Sequence, residues 1–451
     1  MPVIAPFRGV RYDPDRISFI SRVIAPPYDV IDPDIEHWLL ERDPHNIVRL
    51  TFGKTPPEGR SNGEYRRAAE TLARWMREGV LIQDPAPSIY AVEQCFALGR
   101  REFTQHGFVA GVLLEELGAG TIFPHERTSP APRADRLRLM AACRADLCQI
   151  LGIYSDPDGS IDRFVRSLCK GTPIYCFRDT DDVGYHVWAV SSNAPLAELA
   201  ERLRPQTLIV ADGHHRYESA LEYCSQHRTA DQPRGACPAD YLIAYCVSVA
   251  NAGLKSLPTH RRVRARGRLR ESTLLKALES HFVLEPAPVQ SADSLQQDFD
   301  SARRGAERIG CYLPGRRLFI LQPRDLASLR PRFPGSAETW WALPVSVLHY
   351  VVLPDALQIM PGSREESELV EYRHDASQLY WGVEGGEYDV AFLLPPTSPE
   401  VVTRVAVQGL RLPPKSTYFY PKLPSGLLLR VHEDHVPEGP PAPFGHGQER
   451  Q

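Results

Sequence analysis

The stretch LIVADGHHRYESA, residues 208–220, decides how this chain is read. Thr207–Ala211 is a short apolar run of strand type, Asp212-Gly213 is a turn, and a helix follows at once with Tyr217, Ala220, Leu221 and Cys224 on one face. A glycine at so sharp a strand-to-helix turn takes a positive φ or lets another group come close to the backbone. The N–H groups of a helix start point outward and the helix dipole favours an anion there. His214, His215 and Arg216 add donors on the first turn, so the segment reads as an anion pocket, most naturally for phosphate. Asp212 is an acid just ahead of it, and Glu218 lies one turn after His214. The alternative is a solvated Asp-Gly turn before a polar helix start. Adjacent histidines leave a helix on different faces and no zinc-type spacing is present, so no protein-held metal is expected.

On either side of this stretch the pattern mixes α and β. Glu64–Glu78 carries Ala68, Leu72, Trp75 and Met76 at helical spacing, with Gly79 as a stop. Ser88–Leu98 alternates, and Gly99-Arg100 turns into a second strand, Glu102–Leu114, which predicts an antiparallel hairpin. Arg138–Leu151 predicts a helix. Asp389–Leu394 is a buried-type strand; Ser398 is an N-cap, Pro399 a first helical residue and Gly409 a stop. The expected class is α/β in the α+β sense, mixed sheets with flanking helices. The expected organisation is an α/β region over 1–205, a DGHHR segment over 206–260 packing with it, a second α/β region over 261–435, and a disordered Pro/Gly-rich tail over 436–451. The basic run Arg261–Arg270 marks a boundary, as a solvated loop or as a patch for phosphate or nucleic acid.

Length and charge exclude more than they choose. At about 150 residues per domain, 451 residues allow two or three domains. No apolar run approaches the ~20 residues of a membrane span. No signal-peptide pattern opens the chain, and nine cysteines without a C-x-x-C suit free thiols, so the cytoplasm is the expected compartment. A net charge of −4 leaves no global basic field for nucleic acid. Lysine occurs only six times against 46 arginines, which draws attention to Lys415 and Lys422 near the C-terminus.

Seven motifs run in order: PFRGVRY (6–12), APPYDVI (25–31), HNIVRL (45–50), FPHERTSPAPRADRL (123–137), ADGHHRYESA (211–220), LPTHR (257–261) and LPPKSTYFYPKLPSGL (412–427). Through them nearly the whole chain resembles a widespread prokaryotic family known as a domain of unknown function, number ten-fifteen in its series. The strand–DGHHR–helix element is also similar to the phosphate-binding motif of the ParB/sulfiredoxin-type superfamily. That group includes nucleotide-dependent partition proteins, sulfiredoxins and free-serine kinases.

The second resemblance implies a small-molecule kinase using ATP or ADP with Mg2+ and a hydroxylated metabolite, free serine among the candidates. It also implies an early carboxylate as base, which points to Asp29. In APPYDVI the prolines hold an extended segment that presents Tyr28 and Asp29; a turn or cap before Pro33 is the other reading of Asp29. Glu126, Asp212 and His214 complete the candidate catalytic set. Gly213, His214, His215, Arg216, Lys415, Ser416 and Lys422 are candidates for the phosphates, since cations and hydroxyls stabilise a transferring phosphoryl group without any P-loop spacing. Tyr28, His125, Arg127, Thr128, Arg136, Glu218 and His260 are candidates for substrate contact, and Arg261 for the same cleft. Relatives carry a lysine-type residue where this chain has Arg133. Two alternatives stand beside the kinase: a phosphatase of phosphoserine or a similar ester, using His214 or His215, and a non-enzymatic nucleotide-binding regulator.

Overall fold

Gly99 takes φ +60, so the strand Ile89–Leu98 turns through two residues into Arg101–Leu113 with Leu98 opposite Arg101. This hairpin is the middle of a nine-stranded mixed sheet in the computed structural model, which describes residues 2–52, 61–128, 130–229, 231–265, 270–333 and 337–432. The chain forms two units. The first comprises Met1–Pro124, Thr128–Lys255 and Pro421–Gln451; the second comprises His125–Arg127 and Ser256–Tyr420. The DGHHR segment expected over 206–260 thus lies in the first unit except for residues 256–260. The tail expected over 436–451 lies outside the described residues.

In the first unit the strand order is Ile122–Pro124, Leu208–Asp212, Ile150–Tyr154, Tyr241–Ser248, Arg101–Leu113, Ile89–Leu98, Gly184–Val190, Tyr175–Arg178, with Ile4–Ala5 added beside Arg101–Leu113. Leu208–Asp212 runs parallel to Ile122–Pro124 and antiparallel to Ile150–Tyr154. One face of the sheet packs Phe108, Ala110 and Val112 against Leu199, Tyr217 and Ala220 of the helices Asn193–Leu203 and His214–His227. This burial of alternate strand residues against helical stripes is the main stabilising term. The expected helix over Glu64–Glu78 is found at Asn62–Arg77, with the Ser61 N–H donating to Glu64 Oε2 at 2.7 Å.

The helix expected over Arg138–Leu151 is corrected. The helix runs from Pro130 to Cys143 and stops where Arg144 takes φ +48. Ala145–Asp146 then pairs with Arg430–Val431, and Ile150–Tyr154 enters the sheet. Strand pairing with a segment 284 residues away, as from Asp146 to Arg430, overrides the local helical spacing.

The second unit holds a six-stranded antiparallel sheet in the order Phe282–Ala287, Arg317–Pro323, Ile309–Leu313, Val390–Leu393, His260–Val263, Val370–Arg373. Its core joins Phe299, Tyr312, Leu379, Tyr380 and Leu393. Ser398 Oγ caps the helix Pro399–Val407 by accepting from the Val401 N–H. The Arg261–Arg270 expectation is corrected in part. His260–Val263 is an inner strand, Arg261 is 3% exposed, and Arg262 pairs with Glu371 at 2.9 Å, so this stretch is neither a solvated loop nor an exposed patch. Residues 266–269 lie outside the described residues. All nine cysteines are free thiols. Among the described residues no helix is long and apolar enough to cross a membrane.

Candidate functional site

The register of Leu208–Asp212 against Ile150–Tyr154 shifts between Val210 and Asp212, which breaks the ladder one residue before the turn. Gly213 then takes φ +89 and opens the helix His214–His227 without a side-chain cap. A Cβ at this position would lie 2.8 Å from both Ile150 Cγ2 and Arg216 Nε. Gly213→Ala is therefore expected to cost about 2 kcal/mol through left-handed strain alone, with the contact with Ile150 adding to it. A urea titration of the variant reads this as a lower midpoint at unchanged slope.

Four charged side chains from three distant segments meet just ahead of this glycine. Lys422 Nζ lies 2.7 Å from Asp212 Oδ1 and 3.3 Å from Asp29 Oδ2. Asp212 Oδ2 accepts from Arg216 NH2 at 2.7 Å. Arg216 NH1 reaches Cys148 Sγ at 2.8 Å and also donates to the Gln149 carbonyl. Burial works against the Arg216 charge, but Cys148, Asp212 and Asp29 outweigh it and raise its pKa. Two carboxylates and two cations thus balance in a mostly buried cluster. Lys422 is delivered by a returning segment: Ser425 bridges Ala25, Leu429 bridges Val10, and Arg430–Val431 pairs with Ala145–Asp146.

Asp29 sits in a single turn of 3-10 helix, Tyr28–Val30, directly after Pro26-Pro27. The helix cap before Pro33 is Asp32, whose side chain accepts from the Ile35 N–H, so Asp29 is left for another task. Its Oδ1 is buried and makes no hydrogen bond. The neighbouring Tyr28 lines a pocket with Thr51, Arg136, Asp146, Cys148, Arg216 and Ser425, with Leu139, Met140 and Leu147 as its apolar wall. The Arg136 guanidinium covers the Tyr28 ring at 4.2 Å and is fixed by Asp135 at 2.8 Å and by the Thr51 carbonyl at 2.8 Å. Burial pushes the Tyr28 phenol up to about 12, against the pull of Arg136, so Tyr28 is a neutral donor at pH 7.

The remaining first-unit candidates line the helix His214–His227. His214 is buried and His215 half-buried. Glu218 Oε2 accepts from Thr128 Oγ1 at 2.5 Å and lies 3.9 Å from Arg133 NH1, while Arg133 Nε is 3.5 Å from Glu222. Thr128 and Glu218 thus pair with each other.

The second unit holds the other candidates. His125 is fully buried, with Nε2 2.9 Å from Thr417 Oγ1 and its ring edge-on to Phe419. Glu126 Oε1 accepts the Lys415 backbone N–H at 3.0 Å, and the Lys415 side chain is exposed. Arg127 is exposed. Ser416 is buried and its Oγ donates to the Pro413 carbonyl at 2.5 Å, the geometry of a turn brace. Arg261 NH2 donates to the carbonyls of Pro414 and Lys415 at 3.2 and 3.0 Å. His260 Nδ1 accepts from the Leu394 N–H at 3.1 Å, and burial pushes its pKa down to about 3, so it stays neutral.

Three groups in the first-unit cluster were missed by sequence reasoning: Cys148, Gln149 and Ser425. Ser425 Oγ lies 3.0 Å from Cys148 Sγ, and Gln149 Nε2 donates to the carbonyls of Leu423 and Pro424 at 3.1 Å. Gln149 therefore anchors the two residues that follow Lys422. The Ser-Gly turn at 425–426 was the available signal.

A family described as "Protein of unknown function (DUF1015)" matches residues 4–346. No curated protein matches the chain. Similar solved structures include a conserved hypothetical protein from Pyrococcus furiosus, 14% identical, with a TM-score of 0.33 and covering 68% of this chain and 90% of that one. A free serine kinase variant in complex with AMP is 12% identical, with a TM-score of 0.33 and covering 66% of this chain and 84% of that one. SbnI with C-terminal truncation, from Staphylococcus aureus, is 12% identical, with a TM-score of 0.32 and covering 71% and 81%. Likenesses of this strength say nothing about what the chain binds.

Proposed function

This chain belongs to the DUF1015 family, and on that footing we propose that it is a phosphotransferase that works on a small hydroxylated metabolite. The carrying observation is Lys422 Nζ held between Asp212 and Asp29, at 2.7 and 3.3 Å, immediately ahead of the Gly213 helix start. The phosphates of ATP or ADP lie at that start, where the backbone N–H groups and the dipole favour negative charge. The acceptor binds against Asp29, free serine being the first candidate. Asp29 Oδ1, buried and without a hydrogen-bond partner, accepts the acceptor's hydroxyl proton. The freed oxygen bonds to the terminal phosphorus as the bond to the departing nucleotide phosphate breaks, and Lys422 offsets the charge on the phosphoryl oxygens. Both Asp212 oxygens are held by Lys422 and Arg216, so a nucleotide-borne magnesium would supply its charge neutralisation from the phosphates' side. In this reading Glu126 and Ser416 shape the loop around Lys415 and take no part in transfer.

The test is to mix the full chain with Mg2+, serine or another hydroxy acid, and ATP or ADP, and to follow the phosphorylated product. Nucleotide-dependent product that falls by about 10²-fold or more in Asp29→Asn is expected. Absence of transfer to every hydroxy amino acid with either nucleotide would sink the proposal. Phosphate released from phosphoserine without nucleotide would select the phosphatase instead.

A further inference from the structure

The strands Ile89–Leu98, Arg101–Leu113 and Gly184–Val190 are antiparallel neighbours, and their register sets His186 opposite Glu93 and Glu93 opposite His106. Directly opposed residues share a face of the sheet, and Cys95, two residues on from Glu93, shares it too. This face of the sheet therefore gathers two imidazoles, a carboxylate and two thiols, the second being the exposed Cys176 opposite His186, all outside the motifs used above.

Their atoms are arranged unequally around Glu93. Oε2 is taken by His106 Nε2 at 2.9 Å. Oε1 faces His186 Nδ1 at 3.1 Å and Cys95 Sγ at 3.9 Å. One ligand atom from each of Glu93, Cys95 and His186 lies within 4.8 Å of the other two. Around a tetrahedral zinc ion, nitrogen and oxygen donors stand about 3.4 Å apart and a sulfur stands about 3.6 Å from either. The oxygen–nitrogen pair at 3.1 Å and the oxygen–sulfur pair at 3.9 Å each stand about 0.3 Å from that spacing, on opposite sides of it. Their side chains are also reachable: Glu93 is 25% and His186 33% exposed, whereas His106 is 6% exposed.

We propose that Glu93 Oε1, Cys95 Sγ and His186 Nδ1 bind one divalent transition-metal ion of the zinc class, with His106 orienting the carboxylate from behind. A thiolate and an imidazole beside a single carboxylate select zinc-like ions over magnesium or calcium, which want oxygen donors alone. Binding displaces the Cys95 thiol proton to solvent as the sulfur–metal bond forms. Three protein donors leave the fourth position to water or a small ligand. His106 does for Glu93 what an outer hydrogen-bonding partner does for a ligating carboxylate: it fixes which oxygen faces the ion.

The experiment titrates the full chain, stripped with a chelator, with Co2+ as a spectroscopic probe and Zn2+ as competitor. One equivalent of Co2+ is expected, with a thiolate-to-cobalt charge-transfer band that Zn2+ abolishes. Cys95→Ser should lose the band, and His186→Ala should lose stoichiometric binding. His106→Gln should keep both while weakening affinity about 10–100-fold. In the unaltered protein, mapped alkylation of Cys95 should slow when Zn2+ is added, which tests the thiol without any variant. The site is refuted by no saturable binding, by a cobalt spectrum without the thiolate band, or by Cys95 alkylation that zinc leaves unchanged.

Discussion

Lys422→Met is expected to lower phosphoryl transfer by about 10²–10³-fold, the usual loss when one preorganised donor to developing charge is removed. The side chain is 12% exposed and is shared by two carboxylates, so its loss does two things at once. In the proposed reaction it removes the cation that meets the phosphoryl oxygens, and it leaves Asp212 with Arg216 and takes from Asp29 the ammonium at 3.3 Å. Lys422→Arg should recover only part of the rate, because a planar fork cannot put one point charge between two oxygens as an ammonium does. The check is kcat for the three proteins, at a temperature where circular dichroism shows each folded. A rate for Lys422→Met within a few-fold of the original would remove this lysine from the chemistry.

The largest stability effect is expected at Asp146, in the same unit. Its side chain is 1% exposed, with Arg430 Nε at 2.8 Å and His432 Nε2 at 3.0 Å. Asp146→Ala leaves the buried Arg430 with the Pro238 and Tyr241 carbonyls but without a counter-charge, which typically costs about 3–5 kcal/mol. The same group gives a pH dependence. Burial alone would raise the Asp146 pKa, but Arg430 and then His432 pull it down to about 2 from the ordinary 3.8. A folded-state pKa below the unfolded one means stability that is complete above 3.8 and lost as pH falls towards 2. Urea midpoints measured across this range should fall in the original protein and fall less steeply in Asp146→Ala. Equal slopes would show that the carboxylate is not held by Arg430 in solution.

Much of the site was legible because it is local. A strand, an Asp-Gly pair and a polar helix start are adjacent in sequence, and both the positive φ of Gly213 and its helix follow from that order. Lys422 stood out for a compositional reason, the scarcity of lysine, and the structure sets it between two of the acids singled out independently. What was not legible is non-local. Cys148 and Gln149 lie in a stretch whose spacing predicts more helix, and only the pairing of Ala145–Asp146 with Arg430–Val431 ends it. The sequence offers Arg261 both as the start of a basic run and as a group of the cleft, because nothing nearby announces that its guanidinium braces the Pro414 and Lys415 carbonyls. The row of Glu93, Cys95, His106 and His186 depends on strand register across three strands, which a one-dimensional search for metal-ligand spacing does not see.

The returning segment that carries Lys422 also has a consequence in time. Lys422 follows Asp29 by 393 residues and Asp212 by 210. At roughly 5–20 residues per second of synthesis, Asp29 waits about 20–80 s for its cation and Asp212 about 10–40 s. The whole of Ser256–Tyr420 emerges from the ribosome in between. Until then a nascent first unit carries both acids without the lysine and lacks Arg430 for Asp146, so its last structural decision waits until residue 430 has been made.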